Sequence, residues 1–466
     1  MVKAAENVVD FDEHRSAEQA AKEIAPVLSE DYVALEFVNR NLNLVRFDHT
    51  HRKWYVWAGN RWRKDDTAVA SSWNRSLARS FGSTDRSPAD RRRLGSRKFA
   101  DGVEGFARTD QRIAVTHEHW NQNVEVLGTP GGIVDLRTGE LFDPDPNEFI
   151  TRSTSIDPDI SIDCLRWLQF LDQITGHDST LKQFLQQWAG YCLTGQTREQ
   201  KLVFIHGPGG TGKSTFATTL LKILTEDYAT SAAMETFTDG RFDQHPEQLA
   251  RLNGVRTVVA SETEVGHQWR ENRIKHMTGG DPIAARYMRE NTFTYQPQFK
   301  LTFLGNCAPA ISNLDFAIQR RFLIIPFNHK PAEPDLRLDE ILKEESAGIL
   351  RWMINGAVDW YRRGLIVPKA ISEATTEYFD SQDVMGQWLN EDCDVDPRND
   401  LLMEKSKLLF ESWSAFAKAQ GVPPGDQRQL NANLRNRSIE TKQIKALGTK
   451  GCRGVRLKIQ AHWQDR

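Results

Sequence analysis

Residues 206–215, HGPGGTGKST, fit the pattern GxxxxGK[ST], with Gly207, Gly212, Lys213 and Ser214 in register. Such a loop suits polyphosphate for a physical reason. The run Gly207, Pro208, Gly209, Gly210, Thr211, Gly212 lets backbone N–H groups converge on phosphate oxygens. Lys213 can reach the β/γ oxygens, and Ser214, with Thr215 beside it, can ligate Mg²⁺. A helix opening at Lys213 adds its positive dipole end. Context separates this from a chance glycine turn, because the motif follows the apolar run LVFIHG and opens STFATTLLKIL. The chemistry implied is binding and Mg²⁺-dependent hydrolysis of ATP.

Three more groups could complete that chemistry. RTVVASETE (256–264) is an apolar run ending in acids, read as a strand next to the P-loop strand. Glu262, first off the strand, is assigned to the metal and Glu264 to the general base, or Glu262 does both. KLTFLGNCAP (300–309) ends in Asn306, whose neutral amide can donate to a γ-phosphate or orient water without repelling its charge. AIQRRFLIIPF (317–327) sets Arg320 and Arg321 before another buried strand. In a ring, one of the two could reach a neighbour's γ-phosphate.

These residues must be held by a sheet. LVFIHG, RTVVASE, KLTFLGN and RFLIIPF are short apolar runs rich in β-branched residues, with helical sequence between the first three. Runs of that kind are strands buried on both faces, which predicts an α/β domain with a mainly parallel sheet over 199–368. Upstream, 1–28 reads as a mobile tail and 29–155 as an α+β domain. There ALEFVNRN is helical and KWYVWAGNRWRKDD (53–66) forms a hairpin about Gly59-Asn60. A helical collar or linker spans 160–198. Downstream, 369–466 offers helices at 371–391 and 401–420, a shorter helix QRQLNANLRNR, then two strands around the turn TKGCRG. That order predicts a winged helix.

The chain has 466 residues, 39% hydrophobic and 26% charged, as expected of a globular protein of about three domains. No apolar run is long enough for a membrane span. Five scattered cysteines without CxxC pairing indicate neither a disulfide framework nor a zinc site, so a reducing cytoplasm is the default. Net charge is −3, but from Arg428 to Arg466 ten Lys/Arg face two acids. Arg428, Arg435 and Arg437 fall on the expected recognition helix, with Lys450 and Arg453 on the wing, a surface for duplex DNA. A second basic run, Arg86 to Lys98, reads equally well as a solvated face. Between the acid strand and the Asn306 strand, Arg286, Tyr287, Arg289 and Phe293 mix cations with aromatics, which suits a loop gripping one DNA strand. A plain hairpin with inward aromatics is the bland reading.

With these elements in order, the chain resembles superfamily 3 helicases, and more closely the helicase part of the phage/plasmid primase–helicase family related to poxvirus primase–helicases. LGTPGGIVDLRTGEL (127–141), ASETE, KHMTGGDPIAARYM (275–288), LGNCAPAI and IQRRFLIIPF carry the resemblance, from about residue 30 to 370. It implies an AAA-like P-loop core, a homohexameric ring and ATP-driven 3′–5′ movement on single-stranded DNA. By motif, Lys213 and Ser214 match Walker A, Glu262 and Glu264 Walker B, Asn306 sensor 1 and Arg321 the finger. Ile283 to Gln296 matches the pore hairpin, with Arg289 near its tip. Thr211, where close relatives often carry Asn, is a conservative departure. A larger one lies upstream of residue 30, where there is no room for a primase catalytic domain, so priming is expected from a separate primase. An ATP-dependent origin-binding protein, loader or switch of the same fold is the alternative. A structural protein with a decayed P-loop is disfavoured by the intact residue set.

Overall fold

The computed structural model describes residues 28–82, 86–239, 246–261, 268–288, 291–311, 315–331, 333–444 and 448–458. The chain divides into two compact units, residues 1–135 with 140–157, and residues 136–139 with 158–466.

The first unit opens with α1 (Glu30–Asn41), capped by the Ser29 hydroxyl, which accepts from the Tyr32 N–H. Strands β1 (Val45–Asp48), β2 (Lys53–Trp57) and β3 (Trp62–Lys64) follow. Helices α2 (Val69–Ser80), α3 (Pro88–Leu94) and α4 (Arg97–Ala107) lead to β4 (Ala114–Val115). The sheet order is β3-β2-β1-β4, and the β2–β3 hairpin expected about Gly59-Asn60 pairs Trp57 with Trp62. Phe37, Phe47, Trp54, Phe99 and Val103 fill the core between this sheet and the helices. A small antiparallel sheet, β5 (Val126–Gly128), β6 (Ile133–Asp135) and β7 (Leu141–Phe142), ends the unit.

The second unit begins with α5 (Leu165–Thr175) and α6 (Ser179–Leu193), then β8 (Leu202–His206), α7 (Lys213–Tyr228), β9 (Ala229–Ala233) and α8 (Pro246–Ala250). After β10 (Thr257–Ser261) come α9 (Glu271–Gly279), the hairpin β11 (Ile283–Ala285) and β12 (Phe293–Tyr295), and β13 (Lys300–Gly305). Short α10 (Phe316–Gln319), β14 (Phe322–Pro326), α11 (Leu338–Glu344) and α12 (Ser346–Arg363) complete the central part.

The central sheet is parallel throughout, in the order β14-β8-β13-β10-β9. Four of its strands are the four apolar runs. The fifth, β9, has the sequence ATSAA and lies at the edge, where burial on both faces is not required. Such a strand has no apolar signature to read. Phe204, Phe303, Trp269 and Phe322 pack on one face of the sheet, with Trp269 buried between rings.

Residues 160–198, expected as a collar or linker, are part of this unit. Trp188 of α6 donates to the Thr302 hydroxyl of β13 at 3.0 Å. Arg256 donates to the Leu193 carbonyl at 2.7 Å, and the Thr257 hydroxyl to that of Cys192 at 3.1 Å. α6 also crosses α12 at two facing glycines. A side chain on Gly190 would collide with the backbone of Ala357, and one on Gly356 with the Gln186 carbonyl. Helix backbones this close leave no room for a methyl group.

The C-terminal part carries α13 (Lys369–Gln382), α14 (Val384–Asp392), β15 (Cys393–Val395), β16 (Met403–Lys405), α15 (Ser406–Ala419), α16 (Gln427–Asn436), β17 (Glu440–Ile444), β18 (Thr449–Arg453) and β19 (Val455–Leu457). The expected helix 371–391 is two helices, broken at Asp383, whose carboxylate caps the second by accepting from the Gly386 N–H. TKGCRG is not the hairpin turn. Residues 449–453 form the central strand of β16-β18-β17, with Cys452 in the core, and Gly448 (φ 65°) stands just before it. Small buried residues at Gly451 and Cys452 read as a turn in sequence, although they are small because they pack inward.

Candidate functional site

The loop 207–212 leaves the C-terminal end of β8 and enters α7. Gly207 takes a φ of 154° with the Phe327 carbonyl against it, so any side chain there would strike that backbone. Gly212, the residue before the helix, sits at φ 85°, with Phe170 and Ile174 of α5 each 2.8 Å from where its Cβ would be. The glycines therefore form a cradle that side chains would fill. The first-turn N–H groups of α7 have no intrahelical acceptors, so they face an anion naturally.

Lys213 is drawn into this cradle. Its Nζ donates to the carbonyls of Gly207 at 2.6 Å and Pro208 at 2.8 Å, and to the Asn306 side-chain oxygen at 3.0 Å. Burial lowers its pKa below the ordinary lysine value. Burial also lowers His206, at the end of β8, and the Lys213 charge adds to that effect. Thr211 closes the loop by donating to the Pro208 carbonyl at 3.0 Å. Ser214, in the first turn of α7, is exposed, as are Pro208, Gly209 and Gly210, while Thr215 is half-buried. These residues could hold a triphosphate with its metal: the Lys213 ammonium and the start of α7 stand at a loop lined by glycine, and Ser214 is exposed beside them.

The strand order changes one expectation. β13, not the acid-bearing β10, is the neighbour of β8, with Gly305 paired to His206. This is why Asn306 reaches Lys213. β10 is the next strand out, with Ser261 paired to Leu304. Glu262 and Glu264 lie outside the described residues, as does Arg289. Strand order among runs that are all buried is not written in their composition, since each is apolar for the same reason.

Arg320 and Arg321 sit at the other end of the sheet. β14 runs parallel to β8 with Phe322 paired to Leu202, so the two arginines precede the strand ends opposite the loop. Five residues at ~3.3 Å each separate these ends. Arg321 is 7% exposed and engaged within its own chain. Its Nε donates to the Thr278 hydroxyl at 3.0 Å and its Nη1 to the Ala317 carbonyl at 2.5 Å. Burial lowers its pKa, and the adjacent Arg320 lowers it further. Arg320 is exposed and donates to the Gln200 side chain at 2.6 Å.

The hairpin β11–β12 has the register Ile283–Tyr295, Ala284–Thr294, Ala285–Phe293. Its aromatics are turned toward α8. Tyr295 donates to the Leu249 carbonyl at 2.7 Å and Tyr287 to that of Ala250 at 3.0 Å. Tyr287 stacks on Phe293 at 5.5 Å, and Phe293 packs against the core. Arg286 is exposed. The aromatics therefore brace the hairpin, with Phe293 half-buried and Tyr287 still exposed.

On α16, Arg428 and Arg435 are exposed two turns apart, whereas Arg437 is tied to Asp383 at 2.5 Å. Lys450 is exposed on β18, and Arg453 pairs with Asp400 at 3.3 Å. Two groups, one beside the loop and one at the opposite end of the sheet, carry no signal in the sequence. Lys330, beyond β14, lays its stem across the loop, its Cε 3.1 Å and Nζ 3.7 Å from where a Gly210 Cβ would be. Lys300 is buried at the start of β13, donating to the Thr194 and Gln298 carbonyls, with its pKa pushed down to about 7 by burial. Neither belongs to a motif, so only the fold could show them.

Comparison with known proteins finds two family models, each matching less than half of the chain, and similarity to viral proteins named as helicases. A family model described as D5 N terminal like matches residues 34–176, and one described as a family of unknown function (DUF5906) matches 205–321. A candidate helicase of Acanthamoeba polyphaga mimivirus, L207/L206, is 25% identical over 296 residues, covering 58% of this chain and 31% of the relative. A candidate helicase of Invertebrate iridescent virus 6, 184R, is 26% identical over 243 residues, covering 48% and 24%. The chain thus spans less than a third of the length of either relative. In fold it is similar to the apo C-terminal region of NrS-1, with a TM-score of 0.51 at 14% identity over 92% of this chain and 99% of that one. A second apo structure of that region gives 0.50 over 93% and 100%. Among the described residues no helix is long and apolar enough to cross a membrane.

Proposed function

We propose that this protein is an ATP-driven DNA helicase of superfamily 3 type, with an AAA-like P-loop core, moving on single-stranded DNA as a ring during replication of a phage, plasmid or integrated element. The observation that carries the reading is the hydrogen bond between Lys213 of the glycine loop and Asn306 at the end of the adjacent strand. A charged donor and a neutral amide converge at the C-terminal edge of a parallel sheet, where such folds bind ligands.

In this reading the loop amides and Lys213 bind the polyphosphate. On nucleotide entry Lys213 exchanges its carbonyl acceptors for phosphate oxygens, and Asn306 is released to orient the attacking water. Glu262 or Glu264 takes the proton of that water. Mg²⁺, held by Ser214 and Glu262, would neutralise charge on the phosphate oxygens. Position at the far end of the sheet leaves the Arg320–Arg321 pair unable to serve its own loop, which supports service to a neighbouring subunit in a homohexamer. The C-terminal helices and sheet, taken as a winged helix, would meet duplex DNA through Arg428, Arg435 and Lys450.

The deciding experiment measures ATP hydrolysis with and without single-stranded DNA, and strand displacement on a forked substrate. DNA-stimulated hydrolysis with displacement is expected. Hydrolysis without displacement would replace this reading by that of a loader or switch, and absence of both would remove it.

A further inference from the structure

Helices α2, α3 and α4 of the N-terminal unit carry a charge imbalance that the nucleotide site does not use. Between Arg75 and Lys98 the sequence holds eight Lys or Arg against two Asp. Packing brings these cations out on one set of helices. α2 buries Ala70, Asn74, Leu77 and Ala78, which leaves Arg75 and Arg79 exposed one turn apart. α3 buries Leu94 and leaves Arg91 and Arg92 exposed. The two helices meet at Gly82. The Arg91 Cγ lies 3.8 Å, and the Arg79 carbonyl oxygen 3.1 Å, from where a Gly82 side chain would begin.

Neighbouring cations show what neutralisation looks like here. Arg97 pairs with Asp101 at 3.4 Å, and Arg93 donates to the Leu28 carbonyl at 2.6 Å while lying over the Phe99 ring. The side chains of Arg75, Arg79, Arg91 and Arg92 make no ion pair or hydrogen bond among the described residues. A cation in the last turn of a helix is favoured by the dipole, which suits Arg79 and Arg91 taken singly. It does not favour gathering them, because like charges one turn apart on a helix repel. The arrangement costs free energy in the isolated chain, and a polyanion would relieve it.

We propose that this face binds the sugar–phosphate backbone of a nucleic acid through charge, without reading sequence. Guanidinium groups match phosphate geometry with paired donors. An acidic protein would more often need a large apolar anchor at the centre of its interface. The exposed aromatic of α2, Trp73, stands two residues from Arg75, roughly 160° around the helix.

The test uses the full chain and fluorescently labelled single-stranded and duplex oligonucleotides, with affinity read by anisotropy over a range of salt concentrations. In the variant R75Q/R79Q/R91Q/R92Q, the slope of log affinity against log salt should fall by about 2 to 3 on single strands, at ~0.7 for each phosphate no longer neutralised. Affinity at low salt should drop roughly tenfold or more with an unchanged melting temperature. Replacing the same arginines by lysine should restore most of the slope. An unchanged slope on both DNA forms overturns the proposal. So does equal competition by a polyglutamate peptide, which would assign the face to an acidic protein. Lys213→Ala should leave this slope intact, so failure of the ATPase reading and failure of this one are separable.

Discussion

Lys213 Nζ and Asn306 Oδ1 stand 3.0 Å apart, although 93 residues separate them in the chain. Adjacent parallel strands that end at the same level create the pair. Removing the ammonium should abolish hydrolysis: Lys213→Ala is expected to lose at least about 100-fold in turnover, the scale of a charge aimed at transferring phosphate. Asn306→Ala should lower turnover while keeping ADP affinity, and Glu262→Gln should bind nucleotide without turning it over. Steady-state hydrolysis and nucleotide titration check all three, and wild-type rates would sink the assignment.

The two arginines before β14 should separate by phenotype. Arg321→Ala removes donors from the Thr278 hydroxyl and the Ala317 carbonyl in a buried setting, so it should cost about 1–3 kcal/mol of stability. Arg320→Ala, at the surface, should leave the melting temperature within a few degrees and still lose hydrolysis if it acts on a neighbour. Mixing Arg320→Ala with Lys213→Ala protein should then recover activity, because some interfaces hold both intact groups. The Arg321→Ala mixture tests the residue matched by motif. Mixtures that never exceed the sum of their parts would deny action in trans.

Lys330 should strengthen nucleotide binding from beyond β14. Lys330→Ala is expected to weaken ATP and ADP alike by about 3- to 10-fold, the scale of one exposed charge, about 1 kcal/mol. Gly210 belongs to the part of the loop that would cradle phosphates common to both nucleotides. Fluorescent-nucleotide titration measures this directly, and equal affinity in mutant and wild type would return Lys330 to the solvent.

Lys300 predicts a pH dependence of stability. Its folded pKa, about 7, lies below the unfolded value of 10.5, so the unfolded chain binds more protons between those limits. The destabilisation is complete below pH 7 and is relieved as pH rises toward 10.5, by up to about 1.4 kcal/mol per pH unit. Chemical denaturation at pH 7 and 9.5 should show the rise in wild type and its loss in Lys300→Met. Parallel behaviour of the two proteins would assign the dependence elsewhere.

The C-terminal basic surface should be probed by point changes, because Leu430, Leu434 and Cys452 lie in one core with Leu409 and Trp413. Deleting residues 426–466 would expose that core. Arg428→Gln with Arg435→Gln and Lys450→Gln should weaken duplex binding and lower its salt slope by about 2 to 3, with melting unchanged. An unaltered slope would leave these cations as an ordinary solvated face.

The glycine loop, its helix and the four apolar strands were legible in the sequence because each depends on neighbours in the chain. A turn needs glycine, a buried strand needs β-branched residues, and a hairpin needs Gly59-Asn60. Long-range consequences were not legible. Four equally apolar strands do not say that β13 lies between β8 and β10, and β9, an edge strand of alanine, serine and threonine, carries no apolar signal. Adjacent arginines read alike, yet packing against α9 buries Arg321 and leaves Arg320 in water. Tyr287 and Phe293 suggest base stacking by type alone, and only the fold shows that they stack on each other while the Tyr287 hydroxyl holds α8. Chain-local chemistry fixed what could bind; the packing of distant elements decided which residues are left free to do so.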